Sequence, residues 1–280
     1  MLKRPIPSTG EMLPVVGCGT WRTFDVRMAG DVRMSSGQRP PLGRVLQALF
    51  DGGGSVIDSS PMYGRSEGVV GELVEDLDAR VRAFIATKVW TEGREAGIAQ
   101  MTRSTGLLRA EPLDLMQVHN LLDWRTHLAT LRDWKASGRV RYIGITHYKT
   151  SVHEDLEAVM RSEPIDFVQV NYALNNRAAE RSLLPLAVER GIAVLVNRPF
   201  GMGTLIRRLG RNPLPAFAAE LDCANWAELA LKYVLANQAV TCVIPGTGQP
   251  GHMASNVRAG SGRLPDADLQ GRILAAAGVT

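Results

Sequence analysis

Four residues with side chains that can move a proton stand at the ends of three short apolar runs. Asp58 and Tyr63 follow the first run, Lys88 ends the second and His119 ends the third. Runs of this length and composition are typical of strands buried within a parallel sheet. The sequence therefore places four chemically active groups at the carboxyl ends of three consecutive strands.

These residue types suit the reduction of an aldehyde or a ketone, in which an alkoxide develops and must receive a proton. Tyr63 can supply that proton, and an ammonium group on Lys88 lowers the pKa of a tyrosine by stabilising the phenolate. We expect Asp58 to keep Lys88 protonated and His119 to orient the substrate oxygen. Because no side chain carries a hydride, a cofactor has to supply it.

Each of the four residues also has an ordinary structural explanation. Asp58 alone could cap a turn, and Tyr63 alone could be a half-buried loop aromatic. Lys88 could be the ion-pair partner of Asp58, and His119 could be a hydrogen-bonded core histidine. The four together favour chemistry, because the ends of neighbouring strands in a barrel lie close to each other.

Strand-like runs alternate with amphipathic helical patterns along the chain, which predicts a parallel sheet. Successive strand ends from Asp58 to Asn197 lie 25 to 31 residues apart, close to the roughly 30 residues of one βα unit. The predicted fold is a (β/α)8 TIM barrel, a single domain spanning residues 1–280. Two longer loops, 24–40 and 201–224, follow the first and seventh strands. The predicted strands are 14–19, 55–60, 84–90, 113–119, 142–146, 167–172, 192–196 and 240–245, and the helices include 42–50, 67–77, 124–137, 152–160, 178–189, 226–236 and 266–277.

Other architectures and enzyme classes lack their signatures in this sequence. An open, doubly wound sheet needs Gly-x-Gly-x-x-Gly after its first strand, and the segment Gly17-Cys18-Gly19-Thr20-Trp21 lacks the third glycine. A hydrolase or isomerase on the same barrel would need a metal cluster or a phosphate loop. His127 and His153 lie in helical patterns, and we expect them to face solvent rather than a metal.

Composition argues against several classes of function. The 280 residues are 45% hydrophobic and 21% charged, and the net charge of +4 is too small and dispersed for a nucleic-acid-binding protein. No apolar run approaches the roughly 20 residues of a membrane span, and the N-terminus lacks the apolar segment of a signal peptide. The three cysteines have no metal-ligand spacing and an odd count, which fits a reducing compartment, so we expect a cytoplasmic protein without a bound metal. We also expect a monomer or weak oligomer.

Six motifs occur in a fixed order along the chain. They are Gly17-x-Gly19-Thr20-Trp21, Asp58-x4-Tyr63-Gly64, Thr87-Lys88, the strand-ending His119, the segment 138–146 and Gln169-Val-Asn-Tyr172. Together they resemble the motifs of the aldo-keto reductases over nearly the full length of the chain. The resemblance implies a (β/α)8 barrel, reduction of small carbonyl compounds with NADPH, and no metal. It implies catalysis by Tyr63, Lys88, Asp58 and His119.

The same resemblance implies a cofactor site and a substrate pocket. The pocket is expected at Trp21, Tyr63, Trp90 and His119. A nicotinamide-binding regulatory subunit without catalysis is the alternative, and the intact pair of Tyr63 and Lys88 argues against it. The cofactor is expected to contact Gly19, Thr20, Trp21, Asp58, Thr146, His147, Gln169, Asn197, Arg198, Pro199, Phe200, Gly201, Gly246, Thr247, His252 and Asn256.

Some cofactor positions depart from the family pattern. Thr146-His147 replaces Ser-Asn, and Asn197-Arg198-Pro199-Phe200 stands where the family often has an aromatic that stacks on nicotinamide, so we do not count on stacking there. Gly246 and His252 replace a lysine and an arginine, the residues that best meet a 2′-phosphate. We therefore expect NADPH to be held less tightly than is usual, with measurable use of NADH. We expect the preference for NADPH to weaken as pH rises from about 6 to 8, because a histidine such as His252 loses its positive charge in this range. The alternative is that Arg258 supplies a permanent cation, which would make the preference independent of pH.

Overall fold

The computed structural model describes residues 1–26 and 41–279, so most of the predicted loop 24–40 lies outside the described residues. Ten strands occur in this part of the chain. They are β1 (Lys3–Pro5), β2 (Met12–Pro14), β3 (Cys18–Gly19), β4 (Val56–Asp58), β5 (Phe84–Val89), β6 (Leu113–His119), β7 (Val140–His147), β8 (Phe167–Asn171), β9 (Ala193–Asn197) and β10 (Val240–Val243).

Strands β3 to β10 form one sheet in chain order, and every neighbouring pair is parallel. The sheet closes on itself through parallel bridges from Val16 to Val243 and from Gly19 to Gly246. The strands approach closely here, because a Cβ on Gly19 would lie 2.8 Å from the carbonyl oxygen of Ile244. This closure confirms the predicted (β/α)8 TIM barrel.

Helices follow most strands and return the chain to the start of the next one. The sequence pattern does not predict α3, because the positions that it buries are Gly97, Met101, Ser104 and Leu108, which do not form an apolar stripe. A short helix, α7, lies inside the predicted loop 201–224. The helices are α1 (Pro41–Asp51), α2 (Ser66–Asp76), α3 (Arg94–Leu108), α4 (Trp124–Ala136), α5 (His153–Ser162), α6 (Leu183–Arg190), α7 (Thr204–Leu209), α8 (Trp226–Ala236), α9 (Pro250–Ala259) and α10 (Ala267–Ala276).

A hairpin covers the amino-terminal end of the barrel. Strand β1 pairs antiparallel with β2, and Ile6 and Leu13 pack in one apolar cluster with Val56 and Phe84, at the starts of β4 and β5. The predicted strand 14–19 is therefore too long at its start, since Pro14 ends the hairpin strand and cannot donate a ladder hydrogen bond. The hairpin does not cover the carboxyl ends of the barrel strands, where the candidate site lies.

The prediction that two histidines face solvent is wrong. His127 and His153 are both buried. His127 shares the barrel-facing side of α4 with Leu131, one turn further on, and its Nε2 lies 2.7 Å from the carbonyl oxygen of Thr91. The three cysteines are buried and unpaired. No helix among residues 1–26 and 41–279 is long and apolar enough to cross a membrane.

The contact between α2 and α3 fixes a carboxyl group behind the barrel strands. Glu67 is buried and accepts hydrogen bonds from Thr87 Oγ1 at 2.5 Å and from Ser104 Oγ at 3.0 Å. Burial raises the pKa of Glu67, and the two hydroxyl groups oppose the rise. The helices can approach this closely because Gly71 has no side chain: an added Cβ would lie 2.1 Å from the carbonyl oxygen of Leu107.

Gly71→Ala is expected to destabilise the protein, because the new methyl group forces α2 away from α3. Overpacking of this kind costs about 1–3 kcal/mol, measurable by urea unfolding. Gly68→Ala is the matched control in the same helix, since its Cβ would meet Leu107 at 3.8 Å, an ordinary contact. That variant should be neutral or more stable by up to about 1 kcal/mol. Equal effects of the two substitutions would contradict the close approach at Gly71.

Candidate active site

A buried ion pair joins the ends of β4 and β5. Lys88 Nζ donates to Asp58 Oδ2 at 2.7 Å and to the carbonyl oxygen of Ser59 at 2.6 Å, and both charged side chains are almost fully buried. The other carboxylate oxygen, Asp58 Oδ1, accepts from Gln169 Nε2 at 2.9 Å and from Gln117 Nε2 at 3.2 Å. Residues on β4, β5, β6 and β8 therefore hold one carboxylate in place.

Tyr63 lies beside this pair at the end of a tight turn. Its backbone N–H donates to the carbonyl oxygen of Ser60, and the next residue, Gly64, has a φ of +61°. A side chain at Gly64 would also collide with the carboxylate of Asp25. The Lys88 ammonium lies 5.1 Å from the centroid of the Tyr63 ring. The turn thus keeps the phenol next to a buried cation.

Burial and the neighbouring charges act in opposite directions on this pair. Burial raises the pKa of Tyr63, and Lys88 opposes the rise without cancelling it, so the phenol stays protonated at neutral pH. The expected lowering by Lys88 is therefore present, but burial outweighs it. Burial alone would lower the pKa of Lys88, yet Asp58 and Tyr63 hold it above its ordinary value. Lys88 remains a cation.

His119 ends β6 and faces the same space as a neutral ring. Burial, together with Lys88 and His147, lowers the pKa of His119 to about 2. Its Nδ1 lies 3.0 Å from Ser60 Oγ, which also accepts from the backbone N–H of Met62 at 3.4 Å. We assign the hydroxyl proton of Ser60 to this bond, which puts the ring proton on Nε2, where it can donate to a substrate oxygen.

A cavity of about 540 Å³ opens at the carboxyl ends of the strands. Lys88 is absent from its wall and instead contacts Asp58 and the Tyr63 ring behind it. His147, Gly201, Thr247, His252 and Asn256 do not line it either. The predicted residues that line it are Gly19, Thr20, Trp21, Asp58, Tyr63, Trp90, His119, Thr146, Gln169, Asn197, Arg198, Pro199, Phe200 and Gly246.

One wall of the cavity fits the carboxamide of a nicotinamide. Thr146 Oγ1 donates to Gln169 Oε1 at 3.1 Å, and Asn197 Nδ2 lies 3.4 Å from the same oxygen. Asn197 Oδ1 is buried and has no partner among the described residues. An unsatisfied buried acceptor is costly, and an amide N–H₂ group from a ligand would satisfy it. His147 instead stacks on Tyr148, with ring centroids 5.4 Å apart.

The segment after β10 contains the residues predicted to meet the cofactor phosphate. Thr247 Oγ1 accepts from the N–H of Gln249 at 3.1 Å and lies 3.5 Å from His252 Nδ1, at the start of α9. Arg258 does not supply a free cation, because its guanidinium is paired with Glu228 at 2.5 Å. The amide groups at the start of a helix and the side chains of Thr247 and His252 suit an anion.

Comparison with known proteins identifies the family. The sequence profile of the Aldo/keto reductase family matches residues 15–271. The chain belongs to the aldo/keto reductase family. The NADH-specific methylglyoxal reductase of Escherichia coli (strain K12) is 25% identical to it, and the match covers 96% of both chains. Aldo-keto reductase YhdN of Bacillus subtilis (strain 168) is 25% identical over 73% of this chain and 63% of its own length, just under two thirds.

Solved aldo/keto reductase structures share the fold. An enzyme from Klebsiella pneumoniae in complex with NADP and acetate superposes with a TM-score of 0.80 at 22% identity, over 100% of this chain and 97% of that chain. The holo form of an aldo-keto reductase from Bacillus halodurans gives a TM-score of 0.77 at 22% identity, over 100% of this chain and 98% of that one. At this identity the likeness shows the barrel architecture alone.

The aldo/keto reductase fold also brings residues to the site that the sequence did not single out. Ser60 and Gln117 contact His119 and Asp58, and Arg22 and Tyr148 line the cavity just after β3 and β7. Their one sequence signal is a polar or aromatic residue close to a strand end. In residues 1–26 and 41–279 no three His, Cys, Asp or Glu side chains come together to hold a metal.

Ser60→Ala is expected to loosen His119 without disturbing the ion pair. Losing the Ser60 hydroxyl removes the hydrogen bond that favours the proton on Nε2, so we expect turnover of a carbonyl substrate to fall by about tenfold, equivalent to roughly 1.4 kcal/mol. Ser60→Thr keeps the hydroxyl and is the conservative control. The ring ¹⁵N shifts of His119, measured by NMR, should show the Nε2–H tautomer in the wild type and a mixture in Ser60→Ala. An unchanged tautomer would refute this role.

Proposed function

We propose that this protein reduces small aldehydes and ketones to alcohols with NADPH, and with NADH to a measurable extent. The observation that carries the proposal is the arrangement around Tyr63. The phenol is protonated, lies beside the buried Lys88–Asp58 pair and shares one cavity with a neutral His119. Two uncharged hydrogen-bond donors at one position suit a carbonyl oxygen that becomes an alkoxide.

The bound cofactor supplies the hydride. We assign its carboxamide to Thr146, Gln169 and Asn197, whose unpartnered Oδ1 can accept from it. His119 Nε2 donates a hydrogen bond to the carbonyl oxygen and orients it. Tyr63 donates the same oxygen its phenolic proton as negative charge develops.

Lys88 then stabilises the phenolate that Tyr63 leaves behind, and Asp58 keeps Lys88 charged. Opposite charges in a buried site interact strongly, so this contact is worth most at the moment of proton transfer. A non-catalytic nicotinamide-binding subunit would not need a buried cation beside a tyrosine. No contact in the described parts of the chain favours that alternative.

The remaining features of the proposal concern the whole protein. We assign residues 1–280 to a single domain, since one barrel contains the strands from β3 to β10. We place it in the cytoplasm, as a monomer or weak oligomer, without nucleic-acid or membrane partners. The scattered net charge of +4 and the buried, unpaired cysteines support this assignment.

The proposed preference for NADPH depends on His252, because Arg258 is paired with Glu228. His252→Arg places a permanent cation beside Thr247, so the ratio of kcat/KM for NADPH to that for NADH should rise by about tenfold or more. His252→Gln is the neutral control and should lower the ratio. The value of kcat/KM for NADH should stay nearly constant in both. An unchanged ratio in His252→Arg would show that the 2′-phosphate binds elsewhere.

Tyr63→Phe tests the proton donor directly, since it removes the phenolic hydroxyl and almost no volume. Turnover with an aldehyde such as benzaldehyde should fall by about 10²–10⁴-fold, the typical contribution of general acid catalysis. The dissociation constant for NADPH, from fluorescence titration, should be nearly unchanged. A variant that retains wild-type turnover would remove Tyr63 from the mechanism.

A further inference from the structure

Two guanidinium groups stand at the mouth of the barrel without a carboxylate partner. Arg22 follows Trp21 after β3, Arg198 follows β9, and both line the cavity. Within the described parts of the chain, neither forms an ion pair or donates a hydrogen bond. A guanidinium carries five N–H donors. Arg22 is exposed to solvent, whereas Arg198 is partly buried, and a partly buried guanidinium normally has a partner. These two groups therefore have unused donors that face a ligand cavity.

Aromatic rings fix the position of both groups. Arg198 Cζ lies 3.9 Å from the centroid of the Tyr148 ring and 5.5 Å from that of Trp21, and Arg22 Cζ lies 4.5 Å from the Trp21 ring. Stacking on a ring satisfies the face of a guanidinium but leaves its N–H edge available. Fixed planes with free donor edges suit bidentate binding of a carboxylate.

The charge of the cavity also favours an anion. Among the described residues that line it, Asp58 has the one carboxylate, and Lys88 already neutralises Asp58. Burial lowers the pKa of Arg198, and the nearby charge of Arg22 acts in the same direction. A bound anion would relieve both the repulsion between the two cations and the cost of removing Arg198 from water.

Arg198 lines the cavity, whereas Thr247 and His252, the residues assigned to the cofactor phosphate, do not. Its charge acts on Tyr63, the proposed proton donor, and on Tyr148. Thr247 and His252 lie instead at the start of α9, beyond β10. An anion that binds Arg198 is thus close to the reacting carbonyl group.

We propose that Arg198, assisted by Arg22, binds an anionic group of the carbonyl substrate, so that the enzyme favours aldehydes and ketones that also carry a carboxylate. The inference rests on the proposed reduction and adds the substrate class to it. The carbonyl oxygen meets Tyr63 and His119 while the carboxylate meets the guanidinium groups. The rival assignment, in which Arg198 binds the diphosphate of the cofactor, shares the same anion chemistry.

A matched pair of substrates tests the proposal. 4-Formylbenzoate and its methyl ester have the same ring and the same aldehyde, and they differ in charge. For the wild type, kcat/KM should be about tenfold or more higher for the anion, the usual effect of a hydrogen bond to a charged group. Arg198→Met should remove most of this difference through KM and leave the ester within about threefold. Arg198→Lys should retain part of it.

Arg125→Met is the matched control variant. Arg125 also stacks on a tryptophan, with Cζ 4.2 Å from the Trp124 ring, but it does not line the cavity. Its loss should leave kcat/KM for both substrates, and KM for NADPH, unchanged. An equal effect of Arg125→Met and Arg198→Met would overturn the proposal.

Other outcomes separate the proposal from its rival and from the reductase assignment. If Arg198→Met raises KM for NADPH and lowers kcat/KM for both carbonyl substrates by the same factor, Arg198 binds the cofactor diphosphate and the proposal is wrong. If the wild type reduces both substrates with equal kcat/KM, the reductase assignment stands and the anion preference is wrong. If neither substrate is reduced, the proposed function fails, and calorimetric titration with 4-formylbenzoate decides the anion site: binding lost in Arg198→Met supports it, and equal binding overturns it.

Discussion

The rest of the site depends on the buried ion pair between Asp58 and Lys88. Two charges removed from water are costly unless further hydrogen bonds satisfy them. Here the Ser59 carbonyl group completes the shell of Lys88, and the side-chain amides of Gln117 and Gln169 complete that of Asp58. The pair and these amides belong to β4, β5, β6 and β8, and β8 lies across the eight-stranded barrel from β4, so the pair is fully satisfied only when the sheet curves into a barrel. The barrel must therefore form before the hydrogen bonds that satisfy Asp58 and Lys88 are complete.

The segment from Asp58 to Gly64 connects this pair to the reacting groups. Asp58 contacts Lys88, Ser60 contacts His119, and the turn that follows carries Tyr63. Burial keeps both donors uncharged, because it lowers the pKa of His119 and raises that of Tyr63. The cavity thus offers a carbonyl oxygen two neutral donors in front of a fixed cation. The cation is therefore placed to stabilise charge as it develops on Tyr63 rather than to bind the uncharged carbonyl of the ground state.

The barrel and its four central residues could be predicted because buried parallel strands leave a simple pattern. Apolar runs at a spacing of one βα unit placed Asp58 and His119 at strand ends, and the closed sheet confirms that arrangement. Helix α3 was not predictable, because it buries small and polar residues. The bond from Ser60 to His119 joins residues 59 positions apart and has no local signal. The direction of the pKa shift of Tyr63 could not be predicted either. The sequence indicates that Lys88 lowers this pKa, but the larger, opposite effect of burial is seen only in the structure.

The pH dependence of alcohol oxidation tests the role of the Asp58–Lys88 pair most directly, because the proposed mechanism makes Tyr63 a phenolate base in that direction. The wild-type rate with NADP+ should rise with pH in alkaline solution as Tyr63 loses its proton, and the rise should centre above the ordinary pKa of tyrosine, because burial raises the pKa of Tyr63. In Lys88→Met the same rise should move to higher pH by about 1–3 units, since an adjacent cation shifts a pKa by that amount. The double variant Asp58→Asn, Lys88→Met leaves no unpaired buried charge and should show a smaller displacement in the same direction, because Asp58, which raises the pKa of Tyr63, is also removed. A pH profile that matches the wild type in both variants, with a change confined to KM, would contradict the account.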